Sequence, residues 1–181
     1  MVWSAGQREF IPLLMGLYWL LPASKTPTRG QIEWVAIEEP EMGLHPLAIS
    51  ATLVLVMDLL KRGYRVCVST HTPHVLDVVW GIKRIQKYMR NPGKPDNIDC
   101  NFFLDLFSLP HTNLGGWARQ VLEKEIKVYY FNQDDYTTED ISELDPASEN
   151  GNEAGWGGLT GFSGQIAEVV SKVVRRANKV S

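Results

Sequence analysis

The sequence has only two cysteines, Cys67 and Cys100, so it cannot form a framework of several disulfide bonds. It also lacks an unbroken apolar run of about 20 residues, the length that a membrane-spanning helix needs. Its longest apolar run, from Phe10 to Leu21, is interrupted by Pro12. No basic segment and no small-residue cleavage site accompany this run, as they would in a secretory signal. These deficits predict a cytoplasmic protein that does not contact the membrane.

Strong charge of one sign is lacking as well. The chain has 21 acidic and 18 basic residues, which gives a formal net charge of −3. Such a balance provides no general attraction to nucleic acid, so any contact of that kind would need a local patch. Hydrophobic residues make up 44% and charged residues 22% of the 181 residues. This composition is globular, and the length predicts one ordinary domain.

Two short apolar segments, residues 32–37 and 65–69, are predicted strands, and a helix is predicted between them from Pro46 to Arg62. Pro46 suits the first turn of that helix, and Gly63 suits its C-cap. A strand–helix–strand unit is parallel and right-handed in nearly all proteins. Both strands should therefore end at the same edge of the sheet, where ligands bind in open α/β proteins.

The rest of the chain gives weaker patterns. Residues 10–21 are apolar on every side, which predicts a buried helix. The other predictions are helices over residues 75–88, 99–109 and 117–125, a strand over 126–131, a polar acidic loop over 132–158 and an amphipathic helix over 161–178.

Chemically useful side chains follow both predicted strands. Glu38 and Glu39 come after the first strand, and His71 comes after the second. One carboxylate can hold Mg²⁺, which prefers oxygen ligands, and the next can orient and deprotonate a water molecule. A histidine at a strand tip can donate a hydrogen bond to a phosphate oxygen in a transition state. The alternatives are an acidic turn after a strand and a surface or capping histidine.

A third motif, Ser4-Ala5-Gly6-Gln7, opens the N-terminal helix. Free N–H groups at a helix start bind anions, and a glycine lets the backbone approach them closely. For this tetrapeptide alone, chance occurrence is the better explanation.

In their order and spacing, these motifs resemble the ABC-type ATPase head domain, in the branch that includes the overcoming-lysogenization-defect (OLD) family and SMC-like AAA ATPases. Residues 4–7 match the ABC signature, residues 37–41 the Walker B strand with its catalytic glutamate, residues 43–46 the D-loop and residues 69–73 the switch-histidine loop. The resemblance is close over residues 4–76. It implies a P-loop NTPase-type α/β fold, with a parallel sheet flanked by helices and incomplete at its N-terminus.

The resemblance also implies roles for these residues. Glu38 would help to hold Mg²⁺, Glu39 would polarise the attacking water, and His71 would contact the γ-phosphate of ATP. Heads of this type hydrolyse ATP between two protomers, so a second ATPase head is the expected partner. The residues expected to bind nucleotide are Ser4, Gly6, Gln7, Gly43, Leu44 and His45.

The sequence contains no Gly-x-x-x-x-Gly-Lys-Ser/Thr motif, and so it lacks the Walker A loop that cradles phosphates. We therefore expect the C-terminal portion of one head domain. Residues 1–22 would carry the signature and its helix, residues 32–76 the catalytic core, and residues 77–181 an extension. The isolated chain should then be inactive. The alternative is a non-hydrolysing module that supplies signature and dimer surfaces to a partner chain with a Walker A loop.

A basic cluster could contact nucleic acid, a role that many SMC-like heads have. It consists of Lys83, Arg84, Lys87, Arg90 and Lys94. The simpler interpretation is a solvated helix face. The resemblance further implies work in DNA-related, phage-defence or toxin–antitoxin systems, with an effector protein as a further partner.

Overall fold

The computed structural model describes residues 5–22, 28, 30–90, 101–107, 115–161, 166 and 169–171. The chain divides into two compact units, Met1–Glu125 and Ile126–Ser181. The described elements of the first unit are α1 (Ala5–Leu20), β1 (Trp34–Glu38), α2 (Pro46–Arg62), β2 (Arg65–Ser69), α3 (Pro73–Met89), α4 (Asn101–Asp105) and α5 (Gly115–Leu122). Those of the second unit are β3 (Tyr129–Phe131), β4 (Thr138–Asp140) and α6 (Gly151–Ala154).

The predicted strand–helix–strand unit is confirmed. β1 and β2 pair in parallel, with Trp34 opposite Arg65 at one end and Glu38 opposite Ser69 at the other. Both strands therefore end at the same edge of the sheet. The fold is mixed α/β, with a small parallel sheet accompanied by helices.

Local signals at the ends of α2 and α3 explain where these helices begin and stop. His45 caps α2, and its Nδ1 accepts a hydrogen bond from the Leu47 amide at 3.3 Å. Gly63 ends α2 with φ at 102°, a conformation that favours glycine. Thr72 caps α3, and three residues separate the end of β2 at Ser69 from the start of that helix at Pro73. The chain thus turns back sharply after each strand.

One face of the parallel sheet packs into the core. Side chains alternate along a strand, and Val35 and Ile37 of β1 face the same side as Val66 and Val68 of β2. The buried cluster on this side consists of Leu17, Leu20, Ile37, Val56, Leu59 and Tyr64. It joins α1 and α2 to the sheet, which fixes the strand ends on a packed support.

The opposite face of the sheet is exposed. Its residues are Trp34, Ala36, Glu38, Arg65, Cys67 and Ser69. The Arg65 guanidinium lies over the Trp34 ring, 5.5 Å from its centroid, yet Trp34 remains 61% exposed. Parallel sheets are usually covered on both faces, and within the described residues only one face of this sheet is covered.

The prediction that the N-terminal helix is buried on every side was wrong. Leu17 and Leu20 are buried, whereas Met15 and Tyr18 are 68% and 82% exposed. The helix also begins at Ala5 and continues through Pro12. An apolar sequence indicates which side chains of a helix can be buried, but each side is buried only where another element packs against it.

The predicted polar acidic loop over residues 132–158 contains regular structure, which corrects the prediction. β4 lies within it and pairs antiparallel with β3, and the short helix α6 follows. The Asn150 side chain caps α6 by accepting hydrogen bonds from the Asn152 and Glu153 amides. Polar residues in this segment make local hydrogen bonds that organise turns, which an absence of apolar residues does not reveal.

The remaining helix predictions agree in place with the described residues. The helix predicted over 99–109 is described as Asn101–Asp105, and that over 117–125 as Gly115–Leu122. Most of the helix predicted over 161–178 lies outside the described residues. Among the helices that the structure describes, none combines the length and the apolar character needed to cross a membrane.

Candidate functional site

The ends of β1 and β2 bring together the glutamate and the histidine that the sequence singled out. The Glu39 amide donates to the Ser69 carbonyl at 3.0 Å, which extends the strand pairing by one bond. Beyond that bond, Nε2 of His71 lies 3.2 Å from Oε1 of Glu39. Parallel pairing is the cause of this contact, because antiparallel strands would have separated the two residues by the length of the sheet.

The contact between Glu39 and His71 is open to solvent. The His71 side chain is 76% exposed and that of Glu39 is 31% exposed. At this distance a protonated Nε2 can donate a hydrogen bond to the carboxylate, whose oxygens only accept. An exposed pair of this kind adds little stability. Both groups are therefore free to exchange each other for another hydrogen-bonding group.

Glu39 itself stands in an uncommon backbone conformation. Its φ is 43°, a region that residues other than glycine rarely occupy. The following backbone makes two consecutive turns, with the Met42 amide bonded to the Glu39 carbonyl and the Leu44 amide bonded to the Glu41 carbonyl, both at 3.0 Å. These turns carry the chain away from the sheet edge directly after Glu39. Such strained positions cluster at functional sites.

Glu41, to which the sequence assigned no separate role, connects the two strand-end loops. Its Oε1 accepts a hydrogen bond from Thr70 Oγ1 at 2.6 Å and another from the His71 amide at 2.9 Å. Its Oε2 is buried and has no hydrogen-bond partner among the described residues. The only sequence signal for this role of Glu41 was that it is the third acid in Glu-Glu-Pro-Glu. The direction of the Glu41 side chain depends on the turn that follows Glu39.

Glu38 lies on the exposed face of the sheet, at the last position of β1. Its carboxylate is directed to the side opposite Ile37, which is buried. The described residues contain no group of three or more side chains that could together hold a metal ion. Glu38 therefore presents a single carboxylate at the sheet edge, beside the pair formed by Glu39 and His71.

The predicted signature and D-loop are in contact within this chain. A side chain at Gly6 would place its Cβ in overlap with the Gly43 carbonyl oxygen and 3.0 Å from the carbonyl carbon. The start of α1 therefore lies directly against the turn after β1. Ser4 and the side chain of Gln7 lie outside the described residues. Leu44 is half-buried, and His45 uses Nδ1 to cap α2.

Two further titratable groups lie near the start of α3. His74 Nε2 is 3.2 Å from the Ser50 hydroxyl of α2, which ties the two helices together. Burial raises the pKa of Asp77 above its ordinary value, and the charge of nearby His74 partly offsets this effect. Neither group faces Glu39 in the contacts described, so we assign them no part in the site.

The predicted basic cluster lies on the second half of α3 and at its C-cap. Lys83 and Arg84 are half-buried, and the Arg84 guanidinium lies 5.8 Å from the centroid of the Trp80 ring. Lys87 and Arg90 are exposed, whereas Lys94 lies outside the described residues. The cluster is therefore partly engaged with its own helix.

Residues 2–77 match the family model described as "AAA domain, putative AbiEii toxin, Type IV TA system". This match supports an AAA-type ATPase domain. It covers 76 of the 181 residues and includes α1, both parallel strands, the contact between Glu39 and His71 and the start of α3. A search of curated proteins and a search of solved structures found no match.

Proposed function

We propose that this chain supplies the catalytic edge of an ABC-type, SMC-like or OLD-like ATPase head that hydrolyses ATP. The observation that carries the proposal is the 3.2 Å contact between Glu39 Oε1 and His71 Nε2 at the shared end of two parallel strands. The family match over residues 2–77 supports the coarser part of the proposal, an AAA-type ATPase domain. Its description also supports a place in a toxin–antitoxin system.

In this proposal Glu39 and His71 separate when nucleotide occupies the site. Glu39 accepts a proton from the attacking water, and general-base catalysis of this kind contributes about 10²–10⁴-fold to rates. His71 keeps its proton on Nε2 and donates a hydrogen bond to the γ-phosphate as charge develops there. Because the imidazole is highly exposed, this exchange of partners needs no movement of a packed neighbour and so costs little free energy.

Glu38 fits the role of a Mg²⁺ ligand in this proposal. Mg²⁺ is usually bound by one or two carboxylates, with substrate phosphates and water completing its shell, so a single exposed carboxylate is enough. When bound, the ion would neutralise charge on the phosphates. No chelating cluster is needed for this, and the described residues contain none of three or more groups.

The partner in this proposal is a polypeptide that carries the Walker A loop. Trp34, Ala36 and Cys67 expose one face of the sheet, and Met15 and Tyr18 expose one side of α1. Parallel sheets are stable when both faces are covered, which favours a further layer of polypeptide here. The sequence itself has no phosphate loop. Ser4, Gly6 and Gln7 would then face nucleotide held by that partner.

The experiment is to measure Mg-ATP hydrolysis by the chain alone and by the chain with a polypeptide that supplies the Walker A loop. We expect no turnover alone and turnover in the assembly. Glu39→Gln should lower kcat by at least about 100-fold, because the amide cannot accept the proton. Glu33→Gln is the matched control, since Glu33 lies just before the other end of β1. Full activity of Glu39→Gln would overturn the proposed hydrolysis.

The alternative function is a non-hydrolysing module that completes a partner's nucleotide site. The contact between Gly6 and Gly43 favours it, since the residues predicted as signature and D-loop lie side by side in this chain. Binding of a fluorescent ATP analogue separates the two proposals. If Glu39→Gln leaves the turnover of the assembly unchanged while omission of this chain abolishes it, the module is supported.

Contact with nucleic acid through the basic cluster is a separate part of the proposal. Lys87 and Arg90 are its exposed members. Replacing both with glutamate should weaken binding to duplex DNA and make it less dependent on salt, because fewer counterions are released. Unchanged binding and an unchanged salt dependence would mean that these residues form a solvated helix face.

A further inference from the structure

Glu41 is placed to control where His71 points. It lies two residues after Glu39, in the second of the two turns that follow β1. Its Oε1 receives hydrogen bonds from Thr70 Oγ1 and from the His71 amide, both on the loop after β2. A carboxylate from one loop therefore holds the backbone of the other, and the bonds are of the strong charge-assisted kind.

The bonds at Glu41 continue into α3. Thr70 Oγ1 donates to Glu41 and accepts from the Thr72 amide at 3.1 Å. Thr72 in turn caps α3 by accepting from the His74 amide. One chain of hydrogen bonds thus runs from the turn after β1 to the first turn of α3. His71 lies in the middle of it.

The imidazole of His71 depends on this backbone support. Its side chain is 76% exposed, and its described contact is the one with Glu39. Packing therefore cannot fix the ring, whereas the amide of the same residue is fixed by Glu41. Holding the His71 amide in this way costs free energy, because Oε2 of Glu41 is buried without a hydrogen-bond partner among the described residues.

We infer that Glu41 is a positioning residue that holds the His71 backbone so that its imidazole meets the carboxylate of Glu39. This inference rests on the proposed function for its catalytic meaning, but the geometric part can be tested without nucleotide. The test is NMR of the full chain, which follows the amide exchange rate of His71 and its imidazole resonances. His45 provides an internal reference in the same spectra.

In Glu41→Ala we expect amide exchange at His71 to speed up by at least about tenfold, since hydrogen bonds to a charged acceptor are lost. The imidazole resonances of His71 should move, and those of His45 should not. Glu41→Gln keeps an acceptor oxygen and should retain part of the protection. Glu33→Ala, just before the other end of β1, is the matched control and should change neither readout.

The outcomes are distinct. If Glu41→Ala leaves the exchange rate and ring resonances of His71 unchanged, or if Glu41→Gln loses as much protection as Glu41→Ala, the inference is overturned. A uniform rise of exchange across both strands would mean a general loss of stability and would also overturn it. If Glu41→Ala does not fold, Glu41→Asp serves instead, because its carboxylate is one methylene too short to reach Thr70. Failure of Glu39→Gln to reduce hydrolysis would overturn the proposed function and leave this result standing.

Discussion

Replacing Gly6 with alanine tests the contact between the start of α1 and the turn after β1. The new Cβ would overlap the Gly43 carbonyl oxygen and lie 3.3 Å from the Gly43 Cα. These neighbours are backbone atoms, so relief requires movement of the turn or of the helix. Overpacking of this kind costs about 1–3 kcal/mol in the free energy of unfolding. With an m-value of about 2 kcal/mol/M, the urea midpoint should fall by about 0.5–1.5 M.

Gly16→Ala is the matched control because Gly16 lies in the same helix, and no described residue comes within 4 Å of the new Cβ apart from its chain neighbours and the nearby backbone of its own helix. Both substitutions remove the same freedom from the unfolded chain, so that effect cancels between them. Gly16→Ala should raise the free energy of unfolding by about 0.5–1 kcal/mol through better helix propensity. Urea unfolding followed by tryptophan fluorescence measures both variants. If Gly6→Ala is as stable as Gly16→Ala, the described contact is incorrect.

Two further predictions concern the core and the acid dependence of the second unit. Leu59→Ala, at a fully buried position of α2, should lower the free energy of unfolding by about 2–5 kcal/mol. Leu47→Ala, at a 59% exposed position of the same helix, should change it by less than about 0.5 kcal/mol. Equal effects of the two substitutions would mean that Leu59 does not lie in the core. Hydrogen bonds from Asn152, and next from Asn150, hold the pKa of Glu139 below its ordinary value of 4.5. Glu139 therefore stabilises the folded state above pH 4.5, and this stabilisation is lost as the pH falls through the lowered pKa. An NMR titration should find the pKa of Glu139 raised in Asn152→Ala, and an unchanged titration would contradict the described bonds.

The part of the site that follows from topology could be predicted from the sequence. Two apolar segments with a helix between them fix a parallel pair, and a parallel pair brings Glu39 and His71 to one edge. The cap at Gly63 also follows from residue type, since glycine tolerates positive φ.

The part that depends on turn geometry could not be predicted in this way. The direction of the Glu41 side chain depends on the positive φ of Glu39, and no residue type in this turn predicts that conformation. Exposure of Met15, Tyr18 and Trp34 was missed for a different reason. An apolar pattern indicates which surface a segment can bury, but whether it does depends on the neighbours that reach it.

The direction of β1 relative to β2 is the claim on which the site depends, and cysteine cross-linking tests it directly. In a background with Cys67→Ser and Cys100→Ser, the pair Glu38→Cys and Ser69→Cys lies at directly opposed positions at the shared strand ends, with both side chains exposed. The control pair is Trp34→Cys and Ser69→Cys, at opposite ends of the sheet. Mild oxidation should form a disulfide in the first pair and none in the second. A disulfide in the second pair and none in the first would mean antiparallel strands, and Glu39 and His71 could not then share a phosphate.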